Sequence, residues 1–118
     1  MTGAVLPATV GSFVDSHVDS LSALESMLWM KDNAQRDVST LDLARALRMA
    51  PHQAAIILDR LADDGVIGAV ANDRWRYVGG VGGVDEALTW LREHLGRYRV
   101  AVIERIFSKP AGPTEGDR

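Results

Sequence analysis

The sequence predicts a mainly α fold with one small β-hairpin. Three observations predict it. Apolar residues recur at spacings of three and four behind Ser and Asp pairs of the helix-capping kind, Pro51 and Gly65 bracket one such run, and from Val66 to Val78 the period shortens to two. At 118 residues the chain is long enough for one modest core and short of the usual size for two.

Taken in order, residues 1–14 scatter Gly, Pro, Thr and Ser among small apolar residues, which predicts an irregular N-terminal arm. Ser16 and Asp19 have capping-box spacing, so a first helix is expected near there. Its stripe is Val18, Leu21, Leu24 and Leu28, running to about Ala34, and Met27, Trp29 and Met30 widen it enough to suggest a second apolar contact beyond its own domain. Ser39 and Asp42 repeat the spacing and start a second helix whose Leu43, Ala44 and Leu47 face inward. Arg48, Met49 and Ala50 separate it from a third helix. Pro51 suits that helix's first position, where its missing N–H would have been unpaired anyway, and Gly65 suits its end. Ala54, Leu58 and Leu61 mark its inner face. Ile57 lies nearer that face than Ile56, so one of the two is expected to be exposed.

Val66 to Ala71 and Arg74 to Val78 read as two strands turning at Asn72 and Asp73. Alternation sends Trp75 and Tyr77 towards the core and Arg74 and Arg76 outward. Residues 15–78 thus form one domain, followed by a Gly-rich connector at 79–83. Residues 84–107 predict a long helix, about 36 Å at 1.5 Å per residue. Its stripe of Leu88, Leu91, Leu95, Tyr98, Val102 and Ile106 is more than a small domain is expected to cover, which makes it the candidate seam of a homodimer. Residues 108–118 read as a disordered tail.

Composition narrows the function. With 47% hydrophobic and 25% charged residues, the chain reads as an ordinary globular one, and no apolar run approaches the roughly 18 residues needed to span a bilayer. No Lys or Arg precedes the first apolar residues, so no secretory signal is expected and a cytoplasmic location is the default. The absence of cysteine excludes disulfides, thiol nucleophiles and Cys-based metal sites. His17, His52 and His94 are scattered without ligand spacing, so no metal is assigned. Gly79 to Gly83 lacks the Lys and Ser or Thr of a phosphate loop, and no nucleophile, base and orienting group cluster, so neither a catalytic site nor a cofactor is expected.

Ser39, Asp42, Leu43 and Ala44, then Ala50 with Pro51, then Leu58, Leu61, Gly65, Val66 and Ile67, and last Asp73, Arg74, Trp75, Arg76 and Tyr77 follow one another in a familiar order. Over about a third of the chain, this resembles the winged helix-turn-helix of bacterial transcriptional regulators. The flanking helices resemble those of small regulators that dimerise outside the module. The resemblance implies a homodimer on double-stranded DNA, with two recognition helices over 51–64 entering successive major grooves roughly 34 Å apart and the wing over 66–78 on the backbone. His52, Gln53, Ala55 and Ile56 would face bases, with Arg60 further along. Gln53 could pair with adenine, and Ala55 or Ile56 could touch a thymine methyl. Arg45, Arg48, Arg74 and Arg76 would hold phosphates.

The net charge of −3 means that such a binder must gather its positive charge locally. Residues 1–37 hold five acids, Asp15, Asp19, Glu25, Asp32 and Asp37, against Lys31 and Arg36, whereas eleven acids and eleven bases follow Asp37. The alternative is a non-catalytic winged-helix module that docks a protein partner through Ile56 and its apolar faces.

Overall fold

The computed structural model describes residues 5–79 and 82–108. Among them are five helices and a two-stranded antiparallel sheet: α1 (Ala8–His17), α2 (Leu21–Asp32), α3 (Thr40–Leu47), α4 (Pro51–Asp63), β1 (Ile67–Ala71), β2 (Arg74–Tyr77) and α5 (Val84–Phe107). The mainly helical class with one hairpin is as expected, and the start of the chain is not.

Where an irregular arm is expected over 1–14, the chain is helical from Ala8; residues 1–4 lie outside those described. Leu6, Val10, Phe13 and Val14 follow at spacings of four, three and one, and all four are buried. Their burial outweighs the weak helix propensity of Thr9, Val10, Gly11 and Ser12. Gly11 has a further role, because a Cβ there would stand 3.0 Å from the Arg105 guanidinium. That guanidinium crosses the helix to reach Asp15 at 2.8 Å.

The expected capping box at Ser16 and Asp19 does not form, because Ser16 lies inside α1 and Val18, in extended backbone, ends that helix. Ser20 caps α2 instead, its side chain accepting the Ala23 N–H at 3.0 Å. The second apolar contact expected of this helix is met within the chain. α2 packs against α3, α4, α5 and β2, with Leu24, Met27, Leu28 and Met30 all buried.

From Ser39 to Tyr77 the local signals hold. Both halves of the capping box are present, with the Ser39 side chain accepting the Asp42 N–H at 3.1 Å and Asp42 accepting the Ser39 N–H at 2.9 Å. Those hydrogen bonds, the backbone one foremost, hold the Asp42 carboxyl below its ordinary range. Arg48 ends α3 in the left-handed region at φ 56°. Pro51 opens α4, and Gly65 at φ 79° turns the chain into β1. The hairpin turns at Asn72 and at Asp73, which has φ 51° and lies beside α3: its carboxylate accepts from the Thr40 hydroxyl at 2.6 Å and the Thr40 N–H at 3.1 Å. Val38 and Trp75 exchange two backbone hydrogen bonds of 2.9 Å, so the residue before the α3 cap pairs with the outer edge of β2. Trp75 and Tyr77 are half-buried, and Arg74 and Arg76 are exposed.

α5 spans the interval expected, but its apolar stripe is not a free seam. Leu88, Leu91 and Val102 are fully buried, Ile106 nearly so, and Leu95 and Tyr98 are half-buried against the core. The cover comes from α1 and α2, which both pack on α5. A helix hidden in the expected arm therefore fills the place assigned to a second chain. At its N-terminal end α5 is tied down by Asp85, which accepts from Lys31 at 2.7 Å and from the Tyr77 hydroxyl. The Lys31 hydrogen bond is the first cause of the lowered Asp85 pKa, while burial foremost, then the Asp85 contact, raises that of Tyr77. Residues 80–81 of the connector and 109–118 of the expected disordered tail lie outside those described. No helix among the described residues is long and apolar enough to cross a membrane.

Candidate nucleic-acid interface

Each of the five acids in residues 1–37 finds an arginine from the later chain. Asp15 pairs with Arg105 at 2.8 Å, Asp19 with Arg60 at 2.7 Å, Glu25 with Arg99 at 3.5 Å, Asp37 with Arg76 at 2.6 Å, and Asp32 with Arg92. Exposed pairs of this kind add little stability, a median of about 0–1 kcal/mol each. They matter more for what they occupy. Arg36 is held by Asn33 at 3.1 Å and lies over the Trp29 ring. The arginines without an ion pair or side-chain hydrogen bond among the described residues are Arg45, Arg48, Arg74 and Arg97.

Three of those four belong to the set expected to hold phosphate. Arg45 is exposed on α3, Arg48 is exposed at its left-handed end, and Arg74 is exposed at the start of β2. The segments that carry them are bonded together, since Thr40 at the start of α3 holds Asp73 in the hairpin turn. Arg74 also lies close enough to Asp42 for its charge to help lower that carboxyl. Arg76 and Arg60, expected in the same roles, are exposed but engaged, and either must exchange its carboxylate for a phosphate to take part.

Of the four residues expected to face bases, His52, Gln53 and Ile56 are exposed and Ala55 is not. Pro51, His52 and Gln53 in the first turn of α4 are exposed, Ala55 is half-buried, and Ile56 is 57% exposed beside a buried Ile57. The exposed set His52, Gln53 and Ile56 borders a cleft of about 340 Å³ between α4 and the start of α2. Ala23, Ile57 and Leu61 are among its apolar lining, and the Asp19–Arg60 pair contributes to its wall. His17 also lines it, its Nδ1 3.7 Å from Asp64 Oδ2, beyond hydrogen-bond reach.

The sequence pattern did not point to the acids that engage Arg60 and Arg76, nor to the Lys31, Tyr77 and Asp85 cluster that fixes the hairpin against α5. The one available signal was the acidic excess of residues 1–37, which faces a chain rich in arginine. Among the described residues no three His, Asp or Glu side chains gather to hold a metal ion. Comparison of the chain with protein-family models, with curated proteins and with solved structures returns no match.

Proposed function

We propose that this chain is a winged helix-turn-helix DNA-binding protein, acting as a transcriptional regulator. The carrying observation is selective neutralisation. The five acids of residues 1–37 occupy Arg60, Arg76, Arg92, Arg99 and Arg105, yet Arg45, Arg48 and Arg74 around α3 and the hairpin have no ion pair or side-chain hydrogen bond among the described residues. An acidic protein with this distribution keeps its free positive charge where a winged module meets the phosphate backbone. The order of α2, the Val38 bridge, α3, α4 and the β1–β2 hairpin supports the winged reading, with the single Val38 bridge tying the start of α3 to the edge of β2. In this reading α4 enters the major groove, with Gln53 and His52 reading base edges and Ile56 meeting a thymine methyl.

The test is fluorescence anisotropy of a labelled random duplex, titrated with the full chain at low salt and then at rising salt. Three phosphate contacts per chain predict a log–log salt slope of about −2.7, at roughly −0.9 per phosphate. Replacing Arg45, Arg48 and Arg74 together with Ala removes binding, whereas Arg105→Ala leaves it unchanged. Failure to bind at roughly 100 µM, the weak end of sequence-independent affinity, sinks the reading.

The second reading is a protein-docking module, and the exposed Ile56 beside the apolar cleft favours it. It predicts a partner whose binding is insensitive to salt and is lost on Ile56→Asp. The triple arginine replacement then has no effect.

A further inference from the structure

With its core face covered by α1 and α2, α5 carries a second apolar stripe on its outer side. Gly96, Val100, Ile103 and Phe107 fall within about 60° of one another around the helix axis. Val100 is 68% and Phe107 82% exposed, Gly96 is exposed, and Ile103 is half-buried. This stripe is distinct from the buried face of Leu88, Leu91, Val102 and Ile106.

We propose that the outer stripe joins two copies of this chain, with the α5 helices antiparallel about a two-fold axis level with residues 101 and 102. Size complementarity argues for this occupant. In that register Val100 meets the second copy's Ile103, and Phe107, the largest exposed apolar side chain on the stripe, meets the second copy's Gly96. A Cβ at Gly96 would find nothing within 4 Å in the single chain, so the notch is open to receive a ring.

Charge complementarity argues for the same register. Antiparallel helices bring like flanks together, and Arg97 and Glu104 share one flank, about 20° apart around the axis. Arg97 of each copy then reaches Glu104 of the other, giving two symmetric pairs. Both side chains are exposed, and neither has an ion pair among the described residues. Arg97 is thus the unpaired arginine that the DNA reading leaves unused. A parallel pairing lacks these matches: it stacks Phe107 on Phe107 and Gly96 on Gly96, and it brings Glu93 against Glu93 on the next turn.

The seam is short, about 17 Å from Gly96 to Phe107. A seam of about three helical turns is shorter than a standard stable interface of roughly 800 Å² per partner, so a weak, reversible dimer is expected rather than an obligate one. The proposal does not depend on DNA binding and is tested without nucleic acid.

Sedimentation equilibrium of the full chain across the micromolar range is expected to show a reversible monomer–dimer transition. Val100→Asp, at an exposed position that leaves the helical circular-dichroism signal intact, weakens the dimer at least tenfold. Arg97→Glu and Glu104→Arg each weaken it several-fold, and the two together restore it. The chain has no cysteine of its own. Under oxidation Gly96→Cys and Phe107→Cys chains are therefore expected to cross-link in mixture and not alone. A chain that stays monomeric throughout, a dimer indifferent to Val100→Asp, or cysteine variants that each cross-link only to themselves overturns the proposal.

Discussion

Phe13→Ala tests whether α1 is the cover of α5 that its burial implies. The ring is 5% exposed, stacks loosely on His17 at 5.6 Å, and belongs to a helix whose Val10 and Val14 are buried beside it. Truncating a buried Phe costs about 3–5 kcal/mol through lost transfer energy and the cavity left behind. Against a typical total of about 5–15 kcal/mol, that is a large fraction. With a urea m-value of about 1–3 kcal/mol/M, the unfolding midpoint falls by at least about 1 M. Intrinsic Trp fluorescence follows the transition, because Trp29, Trp75 and Trp90 all pack partly into the core. A loss of less than about 0.5 kcal/mol, the range of ordinary surface changes, refutes the docking of α1. The buried stripe of α5 would then become available to a second chain after all.

Three further outcomes follow from local geometry. Arg48→Gly relieves a left-handed residue and stabilises the fold by about 1 kcal/mol in the same urea assay, while the DNA salt slope drops by about 0.9 per chain. A loss of stability means that Arg48 packs rather than strains. Ser39→Ala removes one half of the α3 capping box and costs about 1 kcal/mol, with Asp42→Asn removing less because its side chain still accepts; no loss at Ser39 contradicts the observed cap. Asp42, Asp73 and Asp85 all have lowered pKa values, so their stabilisation is complete above the unfolded value of about 4 and is lost as pH falls through the folded values. For Tyr77 the sign reverses. Its raised pKa gives stability that is complete below about 10 and drains away as pH climbs towards the folded value, so Tyr77→Phe flattens the alkaline limb of a melting-temperature profile and Asp85→Asn flattens the acid limb. Unchanged limbs would remove the cluster from the account of stability.

The parts legible in the sequence are those whose signals are local. Ser39 with Asp42, Pro51, Gly65 and the alternation of Arg74 to Tyr77 each act within a few residues, and the segments they specify lie where expected. Helical phase alone also separated exposed Ile56 from buried Ile57. What stayed hidden depends on distant partners. In α1 the spacing of Leu6, Val10 and Phe13 was present, but Gly11 and the small polar residues around it masked a helix that holds through packing. Periodicity identified Leu88, Leu91, Val102 and Ile106 as apolar without revealing which neighbour buries them. The engagement of Arg60 and Arg76 was equally illegible, since their acids lie on other segments, as with Asp37 and Arg76 at 39 residues' separation.

The Val38 bridge has a consequence for solubility. A two-stranded ribbon ordinarily offers two open rims of unpaired peptide groups, each able to recruit a strand from another molecule. Here the rim of β2 is stopped at its centre, because both peptide groups of Trp75 on that side are taken by Val38. The rim of β1 remains, its register broken at the exposed Val70 between Ala69 and Ala71, and it carries no charged side chain from Ile67 to Ala71. Unwanted strand addition would therefore begin on one side of this protein only, and a single lysine at position 70 is the place to prevent it.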